Sequence, residues 1–208
     1  MSDTKLGSQK FLLSGLDGSI EIWRDSWGIP HVKAKTAHDA FFAQGFSHAQ
    51  DRLWQMDSAR RRMQGRWAEW AGPSAIPADT LVRRIGAAAA SQRDCIALKP
   101  ETRAMLQAYA DGVNAYLQLG NKLPKEYELV GGAPEPWLAW HSIAAMRQRG
   151  YLMGSIWFKL WRAAALSYID SSNITKLRYD DGGQDLLCIP PGVEAERLIA
   201  SLSQLQPS

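Results

Sequence analysis

The sequence contains no self-contained catalytic signature. It has no G-x-S-x-G elbow, no H-E-x-x-H pair, no phosphate-binding loop and no dinucleotide fingerprint. The histidines are His31, His38, His48 and His141, and none stands at metal-ligand spacing from another. His38 and His48 share one helical stretch but are separated by about 15 Å of rise, too far to hold a common ion. All four read as structural or surface side chains, and no metal or cofactor is expected. Cysteine is almost absent. Cys95 and Cys188 stand far apart, which excludes a disulfide framework and favours two buried thiols over one bridge. No run of 18 apolar residues occurs, so no membrane-spanning helix is expected. Met1 to Lys5 lacks the apolar stretch of a secretory leader, so a cytoplasmic location is the expectation, with a periplasmic or secreted one as the alternative if a signal was trimmed. One-sided charge is missing too. A net charge of +3 with acids and bases interspersed argues against nucleic acid or an anionic membrane as partner.

What the chain does have is apolar bulk. Across 208 residues the hydrophobic fraction is 46%, in the ordinary globular range, and there are nine tryptophans. Each Trp is large and carries an N–H that needs a partner when buried. That points to a bulky core or to a wide docking surface.

Ser19 to Arg24 alternates polar and apolar residues, as a half-buried strand does. A turn at Asp25-Ser26-Trp27-Gly28 leads to a second strand from Ile29 to Ala34, with Pro30 confined to a strand start or an edge. The pair makes a hairpin over about 19–34, followed by a helical region over 37–206. Thr36 and Asp39 stand at capping-box spacing. Phe42, Phe46, Ala49, Leu53, Met56, Arg60, Met63, Trp67 and Trp70 then repeat at four and three, one helical face about eight turns long. Gly65 marks a kink or break in it, and Gly72-Pro73 ends it. Arg60 violates the apolar face. Its guanidinium either snorkels to the edge or pins the helix to a carboxylate or carbonyl group, on this chain or another. The cluster Arg60-Arg61-Arg62 with Arg66, close to Asp51, Asp57 and Glu69, reads as a solvated charged face.

Residues 79–98 are expected to form one helix capped by Asp79, with Ala87–Ala90 allowing close packing. Pro100 opens the next helix, whose apolar face carries Met105, Leu106, Tyr109, Val113, Tyr116 and Leu117, and Gly120 closes it. Residues 121–136 are rich in Pro and Gly and read as a loop. Ala139 to Ile169 is helical and apolar nearly all round, the pattern of a buried or interfacial helix. Arg178 to Gly183 reads as a turn, and Glu194 to Gln206 as a short amphipathic helix.

Three segments carry a family resemblance. They are Ile22-Trp23-Arg24-Asp25-Ser26-Trp27-Gly28-Ile29-Pro30-His31-Val32, then Gly45 to Asp57 with its Ala-Gln-Asp-Arg-Leu-Trp-Gln-Met-Asp run continuing to Glu69, then Tyr109-Ala110-Asp111-Gly112-Val113-Asn114-Ala115-Tyr116. In this order, over roughly 19–170, they resemble the α chain of the penicillin acylase family of N-terminal-nucleophile hydrolases. The resemblance implies an α+β fold: a mostly helical α chain of a four-layer αββα sandwich, completed by a β subunit cut from the same precursor in an obligate heterodimer. It implies that the nucleophile is a serine at the start of the β chain, whose own α-amine, with a reference pKa of about 8, serves as base. No catalytic residue is then expected here. The substrate would be a small N-acyl compound, a β-lactam, an acyl-homoserine lactone or similar. The resemblance also places part of the acyl pocket within 150–158, where Gly150, Tyr151, Met153, Gly154 and Trp157 are the candidate lining residues. Relatives with calcium use an α-chain glutamate near Lys159-Leu160, and an ammonium cannot ligate a hard cation, so no calcium ligand is expected. A catalytically inactive scaffold of the same fold and a free-standing helical module are the competing readings. The residue that begins the partner chain separates the first of these from an enzyme.

Overall fold

The computed structural model describes residues 10–153, 156–170 and 173, with the backbone alone for 152–153 and 156–160. The expected turn at 178–183, the helix at 194–206 and Cys188 lie outside the described residues. The chain divides into two units, Met1–Gly154 and Ser155–Ser208. The fold class is α+β and mostly helical, as expected.

The first unit opens with the hairpin. Strands β1 (Glu21–Arg24) and β2 (Pro30–Lys33) pair antiparallel, with Ile22 opposite Val32 and Trp23 opposite His31. Pro30 begins its strand, where a missing N–H costs no ladder bond. Helix α1 (Ala37–Gln64) starts as the capping spacing predicts: the Thr36 hydroxyl accepts the Asp39 N–H. The Asp39 carboxylate does not reach back to complete the box. It is fully buried and accepts the N–H groups of Asp17 and Gly18 instead, tying the incoming chain to the helix start. The backbone departs from helical geometry at Arg52, and Gly65 in the left-handed conformation ends the helix. The single long face from 37 to 71 is therefore two elements. The short α2 (Ala68–Ala71) follows, and Gly72 ends it.

Three further expectations are corrected. The helix drawn over 79–98 is two helices, α3 (Ile76–Arg84) and α4 (Ala87–Ala97), broken at Gly86 with φ +67°. Asp79 does not cap its own helix. Its two carboxylate oxygens accept the backbone N–H groups of Trp67 and Ala68, so it caps α2 across space. Helix α5 (Pro100–Gln118) runs as predicted, and Gly120 follows it with φ +64°. The stretch read as loop contains α6 (Lys125–Val130), set between Pro124 and a left-handed Gly131. Helix α7 (Ala139–Met153) closes the unit, and Cys95 is a buried free thiol on α4.

The core lies where α1 crosses α5. Gly45 and Gly112 let the two backbones meet. A Cβ on Gly45 would stand 2.0 Å from the Tyr109 carbonyl oxygen, and one on Gly112 would stand 1.9 Å from that of Phe42. Around this crossing, Ala49, Leu53, Ala110, Val113, Tyr127 and Trp137 form one buried cluster, and Phe42, Phe46 and Ala115 form a second. A third, of Met63, Ala87 and Ala144, joins α1, α4 and α7, using the small residues of the alanine run as expected. The second unit, as described, is helix α8 (Ile156–Ala165) and the turns that follow it.

Candidate functional site

The segment that leads into α7 is held by two side chains from other helices. Asn114 on α5 accepts the Trp137 N–H at 2.7 Å and donates to the Trp137 carbonyl at 2.9 Å, pairing with that peptide as a strand would. Arg60 on α1 donates to the carbonyls of Glu135 and Pro136 at 2.8 and 2.9 Å and to Asp57 at 2.7 Å. Its guanidinium also lies 5.2 Å from the Trp137 ring centroid. Only 1% of Arg60 is exposed. Of the two readings its position allowed, pinning is the right one, and the groups it pins belong to this chain.

Only part of the basic cluster is a solvated face: Arg62 is exposed and Arg66 partly so. Arg60 and Arg61 are both buried. Arg61 pairs with Glu69 and Glu135 and lies 3.7 Å from the Trp70 ring centroid. Arg66 takes both carboxylates as well. Hydrogen bonds from Arg66, with the charge of Arg61 beside them, pull the Glu135 carboxyl down to about 2. Beneath them Tyr127 donates to Asp57 at 3.0 Å, and burial first, then the neighbouring Asp57 charge, pushes its phenol up. The two glutamates that neutralise Arg61 and Arg66 come from 69 and 135, so the ion pairs tie α2 and the α7 lead-in to α1.

His141 is the one histidine in this network. Its Nδ1 accepts the Leu138 N–H at 2.9 Å, capping the start of α7, and lies 3.3 Å from an Arg60 nitrogen. Burial, with the Arg60 charge second, lowers its pKa to about 3, so the ring is neutral at ordinary pH. The other three are structural too. His31 bonds Asp25 and stacks on Trp23. His38 lies beside Asp39, and His48 sits 2.9 Å from the Tyr109 hydroxyl. Among the described residues no Ser, Thr or Cys side chain is hydrogen-bonded to a histidine, so no nucleophile–base pair is assembled there. One group of ligand-type atoms, from Asp17, His38 and Asp39, converges within 4.8 Å. Both Asp39 oxygens already accept backbone N–H groups, and Asp17 accepts the Thr36 hydroxyl at 2.9 Å, so the group closes the chain onto the start of α1.

Three of the candidate pocket residues, Gly150, Tyr151 and Met153, lie beyond this network along α7. Gly150 is exposed, and a Cβ there would meet open space. Tyr151 is half-buried and packs on the cluster of Met63, Ala87 and Ala144. Met153 ends α7. Gly154 lies outside the described residues, and Trp157 belongs to α8 in the second unit, with its side chain undescribed. Arg147, one turn before Tyr151, pairs with Asp94 of α4. Asn114, Glu135 and His141, which hold the α7 lead-in, have only an indirect signal in the sequence: an Asn on an apolar helix face and an Arg that needs partners.

Comparison with known proteins follows the same outline. The penicillin amidase family model matches residues 19–192. The penicillin acylase 2 proenzyme of Pseudomonas sp. strain SE83 is 58% identical over 94% of this chain. An acyl-homoserine lactone acylase, QuiP, of Pseudomonas aeruginosa is 39% identical over 60% of it, and the penicillin G acylase of Escherichia coli is 39% identical over 57%. The chain spans only 25%, 15% and 14% of those three relatives. Among solved structures, a thermostable penicillin G acylase from Alcaligenes faecalis superposes with a TM-score of 0.62 at 30% identity, covering 84% of this chain and 98% of that one. With the family model matching residues 19–192, well over half of the chain, the chain belongs to the penicillin amidase family.

Proposed function

We propose that this chain is the α subunit of a two-chain amidohydrolase that removes the acyl group from a small N-acyl compound. The lengths of two relatives carry this reading. The chain spans 25% of a proenzyme to which it is 58% identical, yet it covers 98% of a solved penicillin G acylase polypeptide. A precursor cut into a short and a long chain accounts for both. The missing nucleophile–base pair among the described residues fits the same division of labour.

In this scheme the partner β chain begins with serine. Its hydroxyl adds to the amide carbonyl as its own α-amine takes the proton. The tetrahedral oxyanion collapses, the amine leaves with that proton, and water then hydrolyses the acyl ester. The present chain supplies packing and part of the acyl pocket, with Gly150, Tyr151, Met153, Gly154 and Trp157 as its lining. An apolar, aromatic lining favours an uncharged aliphatic or aromatic acyl group. Relatives named for penicillins and for acyl-homoserine lactones support a substrate in which an acyl group is joined through an amide. The helices pack around a sheet built mainly by the partner, which the 21–33 hairpin joins.

The test is intact-mass spectrometry with N-terminal sequencing on protein purified from the whole gene. A second, longer chain beginning with Ser is expected, with release of free amine from N-acyl substrates. A partner that begins with neither Ser, Thr nor Cys removes the nucleophile and leaves a scaffold. A single uncut polypeptide refutes the two-chain scheme.

A further inference from the structure

The turn of the hairpin is built more firmly than an exposed loop requires. The Asp25 carboxylate accepts the N–H groups of Trp27 and Ile29 through one oxygen and faces His31 Nε2 at 3.0 Å with the other. The Gly28 N–H returns to the Asp25 carbonyl, and Gly28 takes φ +76°, open to glycine and rare for other residues. Arg24 donates to the Gly28 carbonyl and makes a two-pronged ion pair with Asp51 on α1, with Gln50 as a third acceptor. The turn is thus closed on itself and bolted to the longest helix.

What this frame presents is Trp27, 87% exposed, with Ile29 beside it at 55%. Six of the other tryptophans, Trp23, Trp54, Trp67, Trp70, Trp137 and Trp140, pack against aromatic neighbours within the first unit. Trp27 makes no ring contact with any described residue. A tryptophan left in water on a rigid turn loses little conformational freedom when it is covered, which is the property of an interface anchor.

We propose that Trp27 is a docking anchor for the rest of the precursor, seated after processing in an apolar pocket of the partner chain that offers an acceptor to its indole N–H. The occupant is argued from a relative, since three-quarters of the penicillin acylase 2 proenzyme lies outside the part this chain matches. This rests on the two-chain reading above, but concerns the turn rather than the strand edges or the acyl pocket.

The full precursor is expressed, matured and purified as its two-chain complex. Release of this chain is timed by exchange against isotope-labelled chain, read by native mass spectrometry. Trp27→Ala should speed release about a hundredfold, the loss expected of an anchor, equivalent to about 2.7 kcal/mol. Asp25→Ala, which loosens the turn but keeps the indole, should give a smaller acceleration. Leu129→Ala on α6 removes a side chain that is also 85% exposed and should change the rate by less than about threefold. If Trp27→Ala blocks maturation, Trp27→Leu supplies the comparison. Release of the Trp27 variant at the parent rate overturns the anchor and leaves the two-chain reading standing. Equal acceleration by Leu129→Ala overturns the special role of the turn. A precursor that stays as one uncut chain overturns both readings. A homodimer of this chain that falls apart on replacing Trp27, with partner release unchanged, overturns the choice of occupant.

Discussion

Replacing Gly45 or Gly112 by alanine tests the packing of α1 on α5 directly. Each glycine faces a carbonyl of the other helix, Gly45 toward Tyr109 and Gly112 toward Phe42, and an added methyl would stand 2.0 and 1.9 Å from those oxygens. Neither obstacle can rotate away, since both are helix backbone. The helices must part by more than about 1 Å, and a gap of that size forfeits roughly a quarter to a half of the dispersion energy across it. The contacts at risk include those of Ala49, Val113, Phe46 and Tyr116 around the crossing. Overpacking of this kind costs about 1–3 kcal/mol or more, while alanine returns about 1 kcal/mol of helix propensity. Each single variant should therefore lose up to about 2 kcal/mol net, or up to about 4–8 °C of melting temperature in a chain of this size. The double variant should lose less than the sum, because helices already parted by one methyl have room for the other, giving a coupling of about 1 kcal/mol. Thermal and urea unfolding of the purified protein measure all three. Alanine at either position raising stability, as helix propensity alone would have it, refutes the close crossing. Strict additivity refutes the shared displacement.

Four other outcomes follow from the network around α7. His141 is held near a pKa of about 3, chiefly by burial, against about 6.5 when unfolded, so the unfolded chain takes up the proton first. Its contribution is intact above about pH 6.5 and declines from there to about pH 3, by at most about 1.4 kcal/mol per unit, and His141→Gln should flatten the pH–stability curve in that window. Arg60→Met leaves Asp57 and two carbonyls without their buried donor and should cost about 3–5 kcal/mol, and Arg60→Lys should rescue little because an ammonium cannot span three separate acceptors in one plane. Asp79→Ala should cost about 1–2 kcal/mol by uncapping α2, with Asp79→Asn recovering part of it in chemical denaturation. Tyr151→Ala in the mature enzyme should change kcat/KM unequally for short aliphatic and aromatic acyl groups, and an identical loss for both would remove Tyr151 from the pocket.

The hairpin, the capped start of α1 and the whole of α5 were legible because each rests on local chemistry. Alternation, Thr36 before the helix, Pro100 at its first position and Gly120 after its last are signals that act within one turn. The misread elements share a different cause. Gly86 inside an alanine-rich stretch gives the same letters whether it is tolerated in a helix or ends one, and the left-handed conformation that decides the matter is not written in composition. Helix α6 is short enough for its flanking Pro124 and Gly131 to look like loop residues, although both are the usual neighbours of a helix end. Asp79 had the right residue type for a cap, but the helix it serves is another one. Capping chemistry shows in a sequence, while the address of the capped N–H groups depends on the fold.

The arginines show where a charge pattern stops being informative. Four cations on a helix with carboxylates at three and four residues look the same whether water or protein surrounds them. What separates the cases is Glu135, distant in sequence from Arg61 and Arg66, together with two main-chain carbonyls that no side-chain pattern can reveal. Once those acceptors are in place, Arg60 on the apolar face is the costliest residue of the helix to leave unpaired, and so the most strongly constrained. It fixes Glu135 and Pro136 while Asn114 fixes Trp137, so the direction of α7 is set before any residue of the proposed pocket is reached. A chain that devotes a buried guanidinium, an asparagine clamp and a neutral histidine to aiming one helix requires the far end of that helix to be accurately placed. Tyr151 and Met153 stand at that end, and the kinetic comparison with Tyr151→Ala therefore bears on why the network exists as well as on what the pocket binds.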